Sequence, residues 1–306
     1  MIINRSNLNC MFLGFQNNFN QGFERVPDTW KKFAAPVSSG SSANIYPFFE
    51  HFGGMKEWIG DRQINNITAK KIEVVNRDFE DTVAISRNDI EDDQYGIYGT
   101  LIAQMGYNAG KIWQDLAVSA LLSEGNWIDD ISFFNESRTY GESVICNTSS
   151  QELSPEAYAE ARKTMMSYCG HNGSSLGIIP DLLIVGPKLE AAAFSILKDR
   201  LQLNAVTHQG VSGIGSVGNP WNGSAELLVL PELCGDYEDL WFLCSNSGIL
   251  KPVIVQQRKH PVLTSLDHEQ DENVFARKEY LYGTDARGEA FLAFPHLIYR
   301  GGSANL

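Results

Sequence analysis

Positive charge is scarce in this chain: 24 Lys and Arg face 37 Asp and Glu, a formal net charge of -13 over 306 residues. The paired bases Lys31-Lys32, Lys70-Lys71 and Arg258-Lys259 form no connected stripe. Tight binding to nucleic acid or to an anionic membrane runs on clustered Lys and Arg, so both are excluded as tight ligands. Cysteine is sparse too. The five residues Cys10, Cys146, Cys169, Cys234 and Cys244 are odd in number and never spaced as CxxC, which excludes a disulfide frame and a ribbon-type zinc site and fits free thiols in a reducing compartment. The six histidines form no HxxxH or HExxH pair, so no metal and no cofactor are expected. No apolar run approaches a membrane span, and "CMFLGF" is too short for a signal peptide.

What the chain does have is a conspicuous acidic stretch. "NRDFEDTVAISRNDIEDDQYGIY", Asn76 to Tyr98, carries Asp78, Glu80, Asp81, Asp89, Glu91, Asp92 and Asp93 against Arg77 and Arg87. Such a run serves to hold a metal, to supply an acid/base pair, or simply to begin a helix. The alternating acids and central glycine of a calcium loop are missing. Glu91, Asp92 and Asp93 therefore read as the start of a long helix, where carboxylates meet unpaired amides and the positive end of the dipole.

That helix is expected over Tyr95–Glu124, because Tyr98, Leu101, Met105, Ala109, Ile112, Leu116 and Ala120 step by three and four and Gly125 follows as a cap. Upstream, Leu8, Phe12, Phe15, Phe19 and Phe23 mark one face of an amphipathic helix ending near Gly22, which packs either on its own core or on a partner. Between the two, Lys56 to Ser86 changes to period two and reads as a long hairpin, polar on both faces over half its length. An isolated hairpin is marginal in water, so it requires something else to lie on. After the long helix, Ser154–Leu233 alternates helix and strand, with Ser154-Pro155-Glu156 as a helix entry. The stretch Asn204–Gly223 is glycine-rich and aperiodic, and the last third is rich in strands. The layout is α+β rather than a repeating βαβ unit.

Two motifs imitate chemistry. Gly213-x-Gly215-x-x-Gly218 spells a dinucleotide fingerprint, yet it runs into Asn219-Pro220-Trp221 instead of opening a helix. Gly173-x-Ser175-x-Gly177, with His171 nearby, spells a nucleophile elbow, yet the order is helix before and strand after, the reverse of what an elbow needs. A helix-to-strand turn accounts for it better. No catalytic residue is assigned, and an enzyme is not expected.

"KEWIGDRQI", "FEDTVAISRNDIEDDQYGIY", "QMGYNAG" and "NPWNG", in that order, resemble the major head subunit of Mu-like phages and prophages, the gene product T family. "QGFERVPDTWKKFA" and "SANIYPFFEHF" before them, and "PDLLIVGPKLEAAA" and "KPVIVQQR" after them, extend the resemblance over nearly the whole chain. One departure follows Phe133-Phe134, where members carry an acidic residue and His-Pro and this chain has "NESRTYGE".

The resemblance implies a Hong Kong 97-type phage capsid fold. It comprises an N-terminal helix and arm over 1–55, an E-loop hairpin over 56–90, a peripheral domain with the spine helix over 91–135 and 240–306, and an axial domain over 136–239. It implies a major capsid protein that self-assembles, as hexamers and pentamers, into an icosahedral shell enclosing double-stranded DNA without sequence-specific binding. Scaffold and portal proteins are implied during assembly in the bacterial host cytoplasm, with a decoration protein as an optional partner of the virion and no membrane. Residues Trp58, Arg62, Ile64, Ile67, Lys70, Lys71 and Val74 would form the inter-subunit hairpin, with Trp58, Ile64, Ile67 and Val74 uncovered by their own chain. Gly210, Gly213, Gly215, Gly218, Asn219 and Trp221 would form the loop nearest the capsomer axis. The fold's namesake joins Lys to Asn covalently; Lys70 or Lys71 would be the counterparts, but a non-covalent shell is expected here. The rival readings are an encapsulin-type compartment, which shares the fold, and a serine hydrolase built on Ser175 and His171.

Overall fold

The computed structural model describes residues 5–47, 71–92, 96–140, 143–170, 173–208, 211–246, 248–268 and 270–304. In chain order these form helix α1 (Arg5–Glu24), strands β1 (Ala34–Ser38), β2 (Ala43–Pro47), β3 (Lys71–Val75) and β4 (Arg77–Ser86), and helices α2 (Arg87–Asp92) and α3 (Ile97–Leu121). There follow β5 (Arg138–Tyr140), β6 (Ser143–Ile145), α4 (Pro155–Met166), β7 (Leu182–Val185), α5 (Glu190–Lys198), β8 (Leu201–His208), β9 (Val211–Gly218), β10 (Glu226–Val229) and β11 (Trp241–Cys244). The chain closes with β12 (Val253–Leu266), α6 (Glu272–Arg277), β13 (Glu279–Leu292) and β14 (Ile298–Gly301). Two compact units result. Unit 1 comprises the described residues up to Ile45, Glu73–Leu121 and Ile254–Phe291; unit 2 comprises those between Tyr46 and Ile72, Leu122–Val253 and those from Leu292 onward.

Unit 1 is a four-stranded sheet, order β1-β12-β13-β4, with α1 and α3. β4 and β13 run antiparallel from Ser86 opposite Glu279 to Arg77 opposite Gly288. The two long helices touch backbone to backbone. A methyl group on Gly22 would collide with the Ala103 carbonyl, and one on Gly106 with the Phe19 carbonyl, while one on Gly110 would come within 2.8 Å of Val26. Glycine weakens a helix by about 1 kcal/mol relative to Ala; here it is the residue that permits the approach. Leu8, Phe15 and Phe19 join Ile102, Met105 and Tyr282 in one core, and the Phe15 ring stands edge-on to Tyr282 with centroids 5.1 Å apart. Of the two readings of the N-terminal helix, packing on its own core is the one observed.

α3 is unbroken at Gly106, but its buried face and its start both differ from expectation. Met105 and Leu116 are buried as the period suggests, whereas Leu101 is 55% exposed and Ile102, Trp113 and Leu121 take the core positions. Close docking of α1 along the glycine edge rotates the covered stripe. The expected start is corrected as well. Glu91 and Asp92 end the separate short helix α2, and Gly96 holds a left-handed φ of 68° before α3 begins at Ile97. The Asp92 carboxylate therefore sits at a helix C-terminus, the pole that does not favour it. Asp93 lies outside the described residues.

Unit 2 is built on a sheet of order β10-β7-β11-β14. β7 pairs in parallel with β10 and antiparallel with β11. All four residues of β7 are buried, as a central strand covered on both faces requires. Tyr158, Ala161 and Met165 of α4 and Ile196 and Leu197 of α5 share a core with Leu183, Val185, Trp241 and Leu243. The expected helix entry holds: Ser154 Oγ accepts from the Ala157 amide at 3.0 Å, with Pro155 at the first position. Residues 201–208 and 211–218, most of which read as loop, instead pair antiparallel as β8 and β9, from Leu201 opposite Gly218 to His208 opposite Val211. Gly213 and Gly215 bring no side chain to alternate positions, which erases the period-two signal by which a strand is recognised.

Candidate functional site

The root of the expected hairpin is a polar knot within unit 1. Strands β2 and β3 pair as a two-stranded ladder, and Asn76, between β3 and β4, is buried. Its carboxamide nitrogen donates to Ser39 Oγ at 3.0 Å, to the Ser41 carbonyl at 2.9 Å and to the Ser42 carbonyl at 3.3 Å. Its carboxamide oxygen accepts from Gln256 Nε2 at 2.6 Å, and the same nitrogen donates to the Val74 carbonyl at 3.3 Å. The Asn76 amide donates to the Ser42 carbonyl at 3.0 Å. Of the residues expected on the hairpin, Trp58, Arg62, Ile64, Ile67 and Lys70 lie outside the described residues. Lys71 is exposed, and Val74, expected to lack intramolecular cover, is buried by its own chain at 5% exposure. The reason is that Val74 already belongs to the anchored root.

A second clasp sits at the base of β8–β9. Asn219 Nδ2 donates to the carbonyls of Ile196 and Asp199, both at 2.8 Å. Asn222 Nδ2 donates to the Lys198 carbonyl at 2.7 Å. The two side chains thus satisfy the carbonyls that the C-terminus of α5 leaves open. Asn219 Oδ1 accepts from the Trp221 amide at 3.0 Å, and the Trp221 ring stands edge-on to Tyr158, 5.8 Å between centroids. The Tyr158 hydroxyl in turn bonds Ser224 Oγ at 2.7 Å. Gly213, Gly215 and Gly218 lie on β9, and Gly210 lies outside the described residues.

One acid of the opening stretch, Asp78, takes part in cross-strand pairing, and two further pairs lie beside it. Arg287 reaches Asp78 at 3.2 Å, Arg77 pairs with Glu289, and Lys259 pairs with Asp285. Such exposed pairs contribute about 0–1 kcal/mol each. Among the described residues no group of three or more His, Cys, Asp and Glu is placed to hold a metal. The imitated motifs resolve as structure: Gly213–Gly218 is strand, and Ser175 lies in a turn between α4 and β7 whose Gly173 and Gly177 have φ of 73° and 65°. Ser175 Oγ accepts from the Gly177 amide at 3.2 Å; His171 lies outside the described residues. All five cysteines are free thiols, and burial pushes the Cys244 thiol up so that it stays protonated. No described helix is long and apolar enough to cross a membrane.

Several fixed points escaped the sequence reading. Arg138, 1% exposed, pairs with Asp129, donates to the Ser132 carbonyl at 2.5 Å and stacks its guanidinium 5.0 Å from the Trp127 ring centre. Asn147, wholly buried, donates to the carbonyls of Phe133 and Pro295 at 3.1 and 3.3 Å. Phe133 and Phe134, where the chain departs from the family pattern, are both buried and meet edge to face at 5.1 Å. Burial holds the His296 imidazole down at about 4, so it is neutral at pH 7. Single Arg, Asn and His residues carry no periodic mark, and Asn147 reaches Pro295, 148 residues away.

A family profile described as Mu-like prophage major head subunit gpT matches residues 8–144, 139–233 and 231–304. The major capsid protein of Escherichia phage Mu is 34% identical over 296 residues, covering 96% of this chain and 73% of the relative. The Mu-like prophage FluMu major head subunit of Haemophilus influenzae is 25% identical over 294 residues, 94% of this chain and 72% of the relative. Among solved structures, a chain of the bacteriophage JBD30 procapsid aligns with a TM-score of 0.59 at 24% identity, covering 99% of this chain and 77% of that one. The SrpI encapsulin of Synechococcus elongatus aligns at 0.50 with 10% identity, over 92% of this chain and 89% of that one. These structural likenesses show the Hong Kong 97-type fold, and at such identities the encapsulin similarity speaks of fold alone.

Proposed function

The chain belongs to the Mu-like prophage major head subunit family, gpT, and is a major capsid protein; from that premise we propose how its parts build a phage head. Copies join as hexamers and pentamers into an icosahedral shell that encloses packaged double-stranded DNA. The segment between Pro47 and Lys71 acts as the E-loop hairpin that reaches a neighbouring copy, while β4, within the expected 56–90, belongs to the sheet of unit 1. Residues 91–135 and 240–306 act as the peripheral domain, residues 1–55 as N-terminal helix and arm, and residues 136–239 as the axial domain. The hairpin β8–β9 faces the capsomer axis, and the Asn219–Trp221 clasp is the fixed base from which it projects. The net charge of -13 suits an inner wall that leaves packaged DNA unbound. Assembly takes place in the bacterial host cytoplasm with scaffold and portal proteins, and a decoration protein is an optional partner of the finished virion.

The observation that carries this reading is the family match from residue 8 to residue 304. Negative-stain microscopy of the purified protein, alone and co-expressed with its scaffold, is the test. Rings or closed shells are expected. A chain that stays monomeric at every concentration under both conditions overturns it.

A further inference from the structure

Strands β2 and β3 mark the two places where the chain leaves and re-enters unit 1, and both are tied to one point. Asn44 and the Ser39–Ser42 turn belong to the outgoing leg; Val74 and Asn76 belong to the returning one. Ser39 Oγ donates to Asn44 Oδ1 at 3.0 Å while accepting from Asn76. Gln256, wholly buried on the inner strand β12, bonds both Asn76 and the Val74 carbonyl. The Ser39 amide donates to the Gln257 carbonyl at 2.9 Å. Both legs are therefore fastened to the middle of the sheet by side chains, in addition to the ladder between them.

The chemistry of the tie suggests its purpose. A buried hydrogen bond replaces one to water and nets little stability, so apolar groups of the same shape would hold a junction about as firmly. Carboxamides differ in being directional: donors and acceptors must meet at set angles, and a satisfied network admits one arrangement. A two-stranded ribbon twists readily and is marginal in water, so ladder bonds alone leave its heading loosely defined. We propose that Asn76 and Gln256 are positioning residues for shell assembly: they hold the two legs, β2 and β3, through which the intervening segment meets a second copy of the chain. The proposal rests on the reading of that segment as the inter-subunit hairpin.

Gln256→Met keeps the length of the side chain and removes its bonds to both Asn76 and Val74. The variant is expected to fold with unchanged circular dichroism while its yield of closed shells falls by about tenfold, with open and irregular assemblies in their place. Ser39→Ala, which removes one acceptor of Asn76, is expected to shift the yield the same way. Leu228→Ala in unit 2 serves as the stability control: it lowers the melting temperature more, yet closes shells normally below that temperature. Normal closure by Gln256→Met and Ser39→Ala overturns the proposal, as does failure of both to fold. A loss of closure in Leu228→Ala proportional to its lost stability also overturns it. Replacing residues 48–70 by a short Gly-Ser link separates the two claims. Normal closure without the segment sinks the reading of the hairpin; lost closure alongside a normal Gln256→Met sinks the knot alone.

Discussion

Gly106 has no room for a methyl group, and Gly14 has nothing but room. Both lie in long helices, where replacing glycine by alanine ordinarily gains about 0.5–1 kcal/mol. At Gly14 no atom lies within 4 Å of the added carbon, so Gly14→Ala is expected to stabilise by that amount. At Gly106 the carbon meets the Phe19 backbone, and overpacking of that kind costs about 1–3 kcal/mol, enough to reverse the sign. Urea denaturation of the pair decides it. His296 offers a second test at this scale. Its folded value of about 4 lies below the ordinary 6.5, so the unfolded chain takes up a proton that the folded one refuses. The associated stability is present above pH 6.5 and is lost as pH falls towards 4, with a slope of up to about 1.4 kcal/mol per pH unit. In His296→Gln this portion of the pH dependence of unfolding should vanish, and an unchanged slope would refute the assignment.

At the scale of elements, the clasp on α5 predicts a local rather than global effect. Asn219→Ala leaves helix carbonyls without donors, and a cost of about 1–3 kcal/mol follows. Hydrogen exchange should accelerate at α5 and at the base of β8–β9 while β7 and β11 keep their protection; uniform acceleration would show that the clasp supports the whole unit. The elements also show how far the chain was legible beforehand. The amphipathic helices α1 and α3 and the entry to α4 could be read because side-chain period and capping chemistry act within a few residues. β9 could not, since glycine leaves no pattern of faces. The break between α2 and α3 escaped because "EDD" is a good helix start by composition, and only the left-handed turn at Gly96 reveals that the chain stops first. The knot joins Asn76 to Gln256, 180 residues apart, and no local rule connects them.

For the whole molecule, a non-covalent shell is expected, because nothing in the sequence marks an acid catalyst beside a Lys and Asn pair. Assembled particles boiled in detergent should run as monomers on a gel, and a ladder of high-mass species would overturn that. Unit 1 is also discontinuous: its second and third pieces are separated by the long stretch Leu122–Val253 that belongs to unit 2. A ribosome adding about 5–20 residues per second needs roughly 7–26 s to cross that stretch before β12 and β13 begin to emerge. Until then β4 has no strand to pair with, since its partner in the sheet is β13. Translation itself therefore schedules the subunit: a half-made chain has no completed four-stranded sheet to offer a neighbour, so polysomes crowded with nascent copies are guarded against premature association by the order in which the gene is read.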